Sequence, residues 1–247
     1  MTYCVGMLLD RGLVFMSDTR TNAGLDNIST FRKMHVWEQE GDRVITLMSA
    51  GNLATTQAVV SLLEERTKAP DDRSPSLFDV PSMFQAARTV AEVLREVIAE
   101  HAEVGQRADS GFNATLLLGG QIKGGPPRLF LIYPEGNFIE AGTDTPFFQI
   151  GEMKYGRPIL VRAYDPTMSF EDAMRLLLVS FDSTLKANLT VGLPFDYHFY
   201  ERDSLHLGLT GRIEKDDAMF QTISQGWGDA LKSALDSLPS FEFRHPG

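Results

Sequence analysis

The chain has 247 residues, of which 43% are hydrophobic and 23% charged, and its formal net charge is −10. These values are typical of a soluble globular protein with a sizeable core. The acidic balance argues against binding to nucleic acid or to anionic membranes, since both need a basic surface. The lone cysteine, Cys4, excludes an internal disulfide framework and favours a reducing compartment. Without a signal peptide or an apolar stretch of membrane-spanning length, the chain is predicted to be cytoplasmic.

The first predicted element is a hairpin at the N-terminal end. Two apolar runs flank Asp10-Arg11-Gly12, and this pattern predicts two antiparallel strands joined by a tight turn. The hairpin would bring Asp18, at the end of its second strand, beside Thr2. Lys33 would then arrive from a third strand, so that a hydroxyl, a carboxylate and an ammonium group would lie together.

Thr2 follows the initiator methionine, and a small residue at this position normally permits removal of Met1. The new N-terminus would carry a hydroxyl and a free amine on one residue, and the amine can act as the base that activates the hydroxyl. An unperturbed α-amine has a pKa of about 7.7–8.0, so part of it is neutral near pH 7. A buried Lys33–Asp18 pair would orient and assist the hydroxyl. Taken singly, each of these residues is equally typical of a structural or surface position.

Four segments together resemble the proteasome β-subunit pattern of N-terminal-nucleophile hydrolases: Thr2, Ser17-Asp18-Thr19-Arg20, Lys33 and Ser49-Ala50-Gly51. Residues 1–6 and 188–194 are similar to the bacterial branch of that family called Anbu. The resemblance extends from Thr2 to about residue 200. It implies an α+β fold, a four-layer αββα sandwich of two antiparallel sheets. Residues 1–247 would form one domain of this type, with a C-terminal helical extension at about 215–247.

The resemblance also implies an activity, that of a threonine-type peptidase that cleaves peptide or amide bonds without a cofactor or metal. Thr2 would be the nucleophile, Asp18 and Lys33 the assisting ion pair, and the Gly51 N–H a donor to the oxyanion. An extended substrate would lie against residues that follow the hairpin, and its side chain would enter a pocket. The residues implied for these two roles are Thr21 and Asn22 for the backbone, and Phe31, His35, Leu53 and Gln57 for the pocket. A plain solvated loop over residues 19–30 is the alternative for the first two.

The chain departs from the family pattern near the amine. Family members carry a Gly-Ser pair whose serine bonds the amine, whereas this chain has Gly151-Glu152. Glu152 would hold an ammonium and weaken the amine as a base. Asn188 and Thr190 stand where the family carries an Asp and a Ser, and they would either orient the amine or serve only as turn residues. Arg20 completes the set predicted to surround the catalytic residues.

Hydrophobic periodicity predicts the remaining elements. Ser169 and Asp172 form a capping box that opens a helix, and Pro239 ends the last one. His198 and His206 are predicted to be strand-surface residues and not metal ligands, because no Cys/His cluster accompanies them. The other predicted helices are 53–66 and 81–100, and the other predicted strands are 33–37, 43–48, 114–118, 128–133, 137–140, 146–151 and 195–200.

Proteasome relatives enclose their sites in self-assembled rings. The resemblance therefore implies a homo-oligomer, in a closed ring or an open helical one, that acts on peptides and has no nucleic-acid or membrane partner. Two alternatives stay open. One is an amidase that uses the same nucleophile on a small molecule. The other is a non-catalytic self-assembling subunit, since retention of Met1 would leave Thr2 without an α-amine.

Overall fold

Two five-stranded antiparallel sheets, a two-stranded ribbon and five helices make up the computed structural model, which describes residues 2–22, 28–68, 75–104, 111–241 and 243. The strands are β1 (Tyr3–Leu9), β2 (Gly12–Asp18), β3 (Arg20–Asn22), β4 (Ile28–Thr30), β5 (Met34–Gln39), β6 (Arg43–Gly51), β7 (Ala114–Ile122), β8 (Arg128–Ile132), β9 (Phe138–Glu140), β10 (Phe147–Gly151), β11 (Phe195–Glu201) and β12 (Leu209–Ile213). The helices are α1 (Leu53–Lys68), α2 (Met83–Val104), α3 (Arg157–Ala163), α4 (Phe170–Ala187) and α5 (Ala218–Asp236).

The first sheet has the strand order β10-β1-β2-β11-β12, and the second has the order β5-β6-β7-β8-β9. The β1–β2 hairpin lies in the middle of the first sheet, where both of its strands are almost entirely buried. Fully buried strands have apolar residues on both faces, which explains why the hairpin sequence is apolar throughout rather than alternating. Its central position also fixes the end of β2, where Asp18 lies, inside the molecule.

Three clusters of buried side chains separate the layers. Leu47, Val90 and Leu118 belong to a cluster that joins α1 and α2 to the outer face of the second sheet. A second cluster joins α3 and α4 to the outer face of the first sheet. The third lies between the sheets and includes Phe15 and Met48. Helices therefore cover both outer faces, and the predicted α+β fold, a four-layer αββα sandwich, is confirmed.

Most predicted elements occur within a few residues of their expected limits. Ser169 caps α4 as predicted, since its hydroxyl accepts a hydrogen bond from the Asp172 N–H. The prediction of a plain loop over residues 19–30 was wrong in part, because β3 and β4 pair as a two-stranded ribbon. The short helix α3 was not predicted. Among the helices of the described ranges, none is both long enough and apolar enough to cross a bilayer.

Candidate active site

The strand register of the hairpin brings Asp18 next to Thr2. Cys4 pairs with Ser17 across the β1–β2 ladder, so the following position of β2 lies opposite Tyr3. The Tyr3 N–H donates a hydrogen bond of 3.0 Å to Asp18 Oδ1, and the carboxylate is completely buried. The turn length sets this register, and a slip by one residue would turn Asp18 to the other face.

Lys33, immediately before β5, completes an ion pair with Asp18. Its ammonium donates to Asp18 Oδ1 at 2.7 Å and to the Arg20 carbonyl oxygen at 2.6 Å. Burial raises the pKa of the Asp18 carboxyl, and the Lys33 ammonium opposes that shift together with the Tyr3 and Gly192 N–H groups. Both members of the pair are buried, since Asp18 is completely buried and Lys33 is only 6% exposed.

Thr2 lies at a cavity of about 890 Å³ that reaches along α1. The cavity also receives Lys33 and Gly51, so three of the four predicted catalytic residues share one space, with Asp18 buried behind Lys33. The residues predicted for substrate contact that line the cavity are Thr21, Phe31, His35, Leu53 and Gln57. Asn22 ends β3, but its side chain lies outside the described part of the chain.

Gly51 ends β6 and faces the cavity with its backbone exposed. Its φ angle is +125°, a conformation that side chains rarely adopt, and a Cβ atom there would overlap the Asn113 carbonyl oxygen. The glycine thus lets two backbone segments meet beside Thr2. A backbone N–H at this point is suited to stabilise negative charge that develops on a bound carbonyl oxygen.

The residues that replace the family's serine and aspartate form one network beside Thr2. The Glu152 N–H donates to the Thr2 carbonyl oxygen at 2.7 Å, and the buried Glu152 carboxylate accepts from Asn188 Nδ2 at 2.8 Å. Asn188 Oδ1 in turn accepts from the Thr190 N–H at 3.0 Å and from its hydroxyl at 2.6 Å. Glu152 is therefore bound to an amide in this structure.

Arg20 connects this network to the ribbon. Its guanidinium donates to the Leu189 carbonyl oxygen at 2.8 Å and packs so closely over Gly192 that a Cβ atom there would overlap it. Because Lys33 bonds the Arg20 carbonyl and Gly192 donates to Asp18, the 188–192 segment and the ion pair are linked through Arg20. Arg20 acts through packing and not through contact with the cavity.

Sequence reasoning missed a second polar cluster directly after Thr2. The Tyr3 hydroxyl lies 2.7 Å from Ser180 Oγ and accepts from Gln149 Nε2 at 2.5 Å. Burial raises the pKa of Tyr3, so it stays a neutral phenol. A tyrosine directly after Thr2 in a buried strand signals a hydrogen-bonded hydroxyl, since buried Tyr usually has a partner. The cluster fixes the strand that carries Thr2.

The prediction for His198 was wrong, whereas His206 is exposed as expected. His198 is completely buried between the sheets, with Nδ1 at 2.8 Å from Thr46 Oγ1 and Nε2 against the Leu207 carbonyl oxygen. A carbonyl only accepts, so Nε2 carries the proton and Nδ1 accepts from Thr46. Within the described ranges, no three His, Cys, Asp or Glu residues are grouped to hold a metal ion.

The family model described as "Proteasome subunit" matches residues 2–192. This chain belongs to the proteasome subunit family. Solved structures agree over the whole length: Anbu (ancestral beta-subunit) from Yersinia bercovieri is 50% identical with a TM-score of 0.91, and 98% of this chain and 100% of that chain are covered. Anbu from Hyphomicrobium sp. strain MC1 is 51% identical with a TM-score of 0.89, at 98% and 100% coverage.

A third similar structure, the helical assembly of the Anbu complex from Pseudomonas aeruginosa, is 48% identical with a TM-score of 0.92, and 98% of each chain is covered. No curated protein matches the chain. The predicted resemblance to proteasome β-subunits, and to the Anbu branch, is confirmed. Proteasome membership supports a hydrolase of the N-terminal-nucleophile kind.

Proposed function

We propose that this proteasome-family chain is a cytoplasmic threonine-type peptidase whose nucleophile is Thr2, exposed by removal of Met1. The observation that carries the proposal is the buried Lys33–Asp18 pair, joined at 2.7 Å, at the Thr2 end of an open cavity of about 890 Å³. An ion pair buried this deeply contributes little net stability compared with apolar residues, so a role in chemistry accounts for it better.

The proposed reaction begins with attack of Thr2 Oγ on the carbonyl carbon of a bound peptide. The α-amine takes the hydroxyl proton, directly or through one water molecule, while the Lys33 ammonium stabilises the oxygen as it loses that proton. The Gly51 N–H donates to the tetrahedral oxyanion. The C–N bond then breaks as the departing amine receives the proton, which leaves an ester between the acyl group and Thr2. Water hydrolyses this ester and restores the hydroxyl.

The position of Thr2 rests on its own backbone contacts. Its carbonyl oxygen accepts from the Glu152 N–H, and the following N–H donates to Asp18. These two hydrogen bonds fix the first residues of β1 on both sides, and holding the reacting group in one geometry lowers the entropic part of the barrier. Because Asn188 holds the Glu152 carboxylate, we assign Glu152 a structural role beside Thr2 and not a role in proton transfer.

We further propose that copies of the chain assemble into an open helical or ring-like homo-oligomer. The relative from Pseudomonas aeruginosa, 48% identical over nearly the whole chain, is described as a helical assembly. Three leucines of α5 and the residues after it are at least 50% exposed: Leu231, Leu235 and Leu238. They recur at intervals of three and four residues, so they form one apolar stripe that a second copy would cover.

The test is the intact mass of the protein made in cells, before and after treatment with a peptide epoxyketone. This reagent bonds to both the hydroxyl and the free amine of an N-terminal threonine, so one adduct reports on both groups. We expect a mass lower by one methionine and a single adduct that is lost in Thr2→Ala. Retention of Met1 without an adduct would contradict the proposal and favour the non-catalytic subunit. Adducts together with turnover of small amides alone would favour the amidase.

A further inference from the structure

We infer that the cavity beside Thr2 selects peptides with a long basic side chain, lysine or arginine, and that Glu64 is the residue that recognises the cation. The inference rests on the proposed function, since it names the substrate class of the same site. Its support comes from the cavity wall formed by α1, from the charges that line the cavity, and from its apolar sides.

Helix α1 presents one face to the cavity. Residues of α1 that line it are spaced by three and four positions: Leu53, Thr56, Gln57, Val60, Ser61 and Glu64. This spacing forms a single stripe along a helix. Glu64 lies about three turns beyond Leu53, and its Cα–Cβ bond tilts towards the helix N-terminus, which follows Gly51. The carboxylate therefore projects back along the cavity, towards the end that holds Thr2.

Among the described residues that line the cavity, Glu64 is the only acidic one. It is half-buried, and within the described ranges its carboxylate takes part in no ion pair or hydrogen bond. One cation on the wall, Lys33, is already held by Asp18 and by the Arg20 carbonyl oxygen. Arg32 is exposed, so solvent screens its charge. A half-buried carboxylate with no partner is a good acceptor for a cation from a substrate.

His35 and Glu64 line the same cavity. His35 lies two residues after Lys33, at the start of β5, and Glu64 acts on it electrostatically. Burial lowers the pKa of the His35 imidazole, and the charge of Glu64 opposes that shift. His35 is therefore mainly neutral near pH 7, and it does not neutralise Glu64.

The sides of the cavity suit the stem of a basic side chain. Phe31, Leu53 and Val60 supply apolar surface between Gly51 and Glu64. Lysine and arginine bury their methylene stems against such surface and keep the charged group at a polar end. A short or acidic side chain would leave Glu64 unpaired or bring two negative charges together, and both outcomes cost free energy.

The experiment compares adduct formation, by intact mass, for three peptide epoxyketones that differ only in the residue entering the cavity: lysine, norleucine or glutamate. Norleucine keeps the four-carbon stem of lysine and lacks the ammonium. We expect the lysine reagent to react at least about tenfold faster than the norleucine reagent, since a charge-assisted hydrogen bond is worth about that factor. Glu64→Gln should remove this difference, and urea unfolding of the variant checks that it is folded. Glu65→Gln, on the exposed side of α1, is the matched control.

The outcomes separate this inference from the proposed function. If none of the reagents forms an adduct, the peptidase itself is contradicted. If all three form adducts at similar rates, or if the glutamate reagent is the fastest, the peptidase stands and the role of Glu64 is overturned. Urea unfolding shows whether Glu64→Gln is folded, and the comparison of reagents on the wild-type protein needs no variant at all.

Discussion

The Lys33 ammonium and the Asp18 carboxylate are 2.7 Å apart, and the Tyr3 N–H holds the same carboxylate oxygen at 3.0 Å. The carboxylate is completely buried, so the stability of the fold around Thr2 depends on the positive charge of Lys33. The position of Lys33, which lines the cavity, thus depends on Asp18, which does not reach the cavity. Substitution of Lys33 alone should therefore affect stability differently from substitution of both residues together.

Lys33→Met should destabilise the fold by about 3–5 kcal/mol, because it leaves a buried carboxylate without its cation. It should also abolish adduct formation. In the double variant Lys33→Met/Asp18→Asn, the buried charge is gone, so most of the stability should return while reactivity stays lost. Urea unfolding and adduct rates measure the two effects. A double variant that reacts as fast as wild type would contradict the role of the ion pair in chemistry.

Gly151→Ala tests the backbone position of Thr2. The Gly151 φ angle is +83°, and a Cβ atom there would overlap the Thr2 carbonyl group. We expect a loss of more than about 2 kcal/mol of stability, together with slower adduct formation, because the strained residue and Thr2 would have to move apart. Gly142→Ala is the control, since a Cβ atom at Gly142 would meet nothing within 4 Å. Equal stability and equal adduct rates for the two variants would show that the Thr2 backbone can move without effect.

The placement of Asp18 beside Thr2 could be predicted from the sequence because its determinants are local. A two-residue turn between two apolar runs, Asp10-Arg11, fixes the register of β1 and β2, and the register alone brings Asp18 beside Thr2. Gly51 was predicted through the family pattern, since an Ala-Gly pair after a strand is by itself typical of a turn. The family pattern then connected these local features to Lys33.

Other parts could not be predicted because they depend on partners far along the chain. His198 alternates with apolar residues in β11, and nothing nearby shows that Thr46, 152 positions away, accounts for its burial. The pairing of Glu152 with Asn188 is likewise a tertiary contact between loops. The ribbon of β3 and β4 has a polar sequence typical of loops, and only backbone pairing identifies it.

The apolar stripe of α5 predicts an effect on assembly. Leu235 is 69% exposed, and a charge there would have to be buried if a second copy covers the stripe. Leu235→Glu should therefore shift the protein towards smaller species in analytical ultracentrifugation, without lowering its thermal stability as a single chain. Val161→Glu, at an exposed apolar position on α3, is the matched control. An unchanged distribution of species in Leu235→Glu would place the contact between copies elsewhere.

His198 predicts a loss of stability in mild acid. Burial lowers the pKa of its imidazole from 6.5 to about 4, so the unfolded chain binds a proton at a higher pH than the folded one. The contribution of His198 is complete above pH 6.5 and is lost as the pH falls from 6.5 to about 4. This shift corresponds to roughly 3 kcal/mol.

Chemical unfolding of wild type and His198→Gln between pH 4 and pH 7 isolates this contribution from that of the carboxylates. The glutamine variant should be less stable at pH 7, because it cannot reproduce both the Thr46 and the Leu207 contacts. Its stability should nevertheless fall less steeply with acid, so the two curves should converge towards pH 4. His206→Gln, at an exposed histidine, should keep the wild-type slope. Parallel curves for wild type and His198→Gln would mean that His198 titrates alike in the folded and unfolded chains.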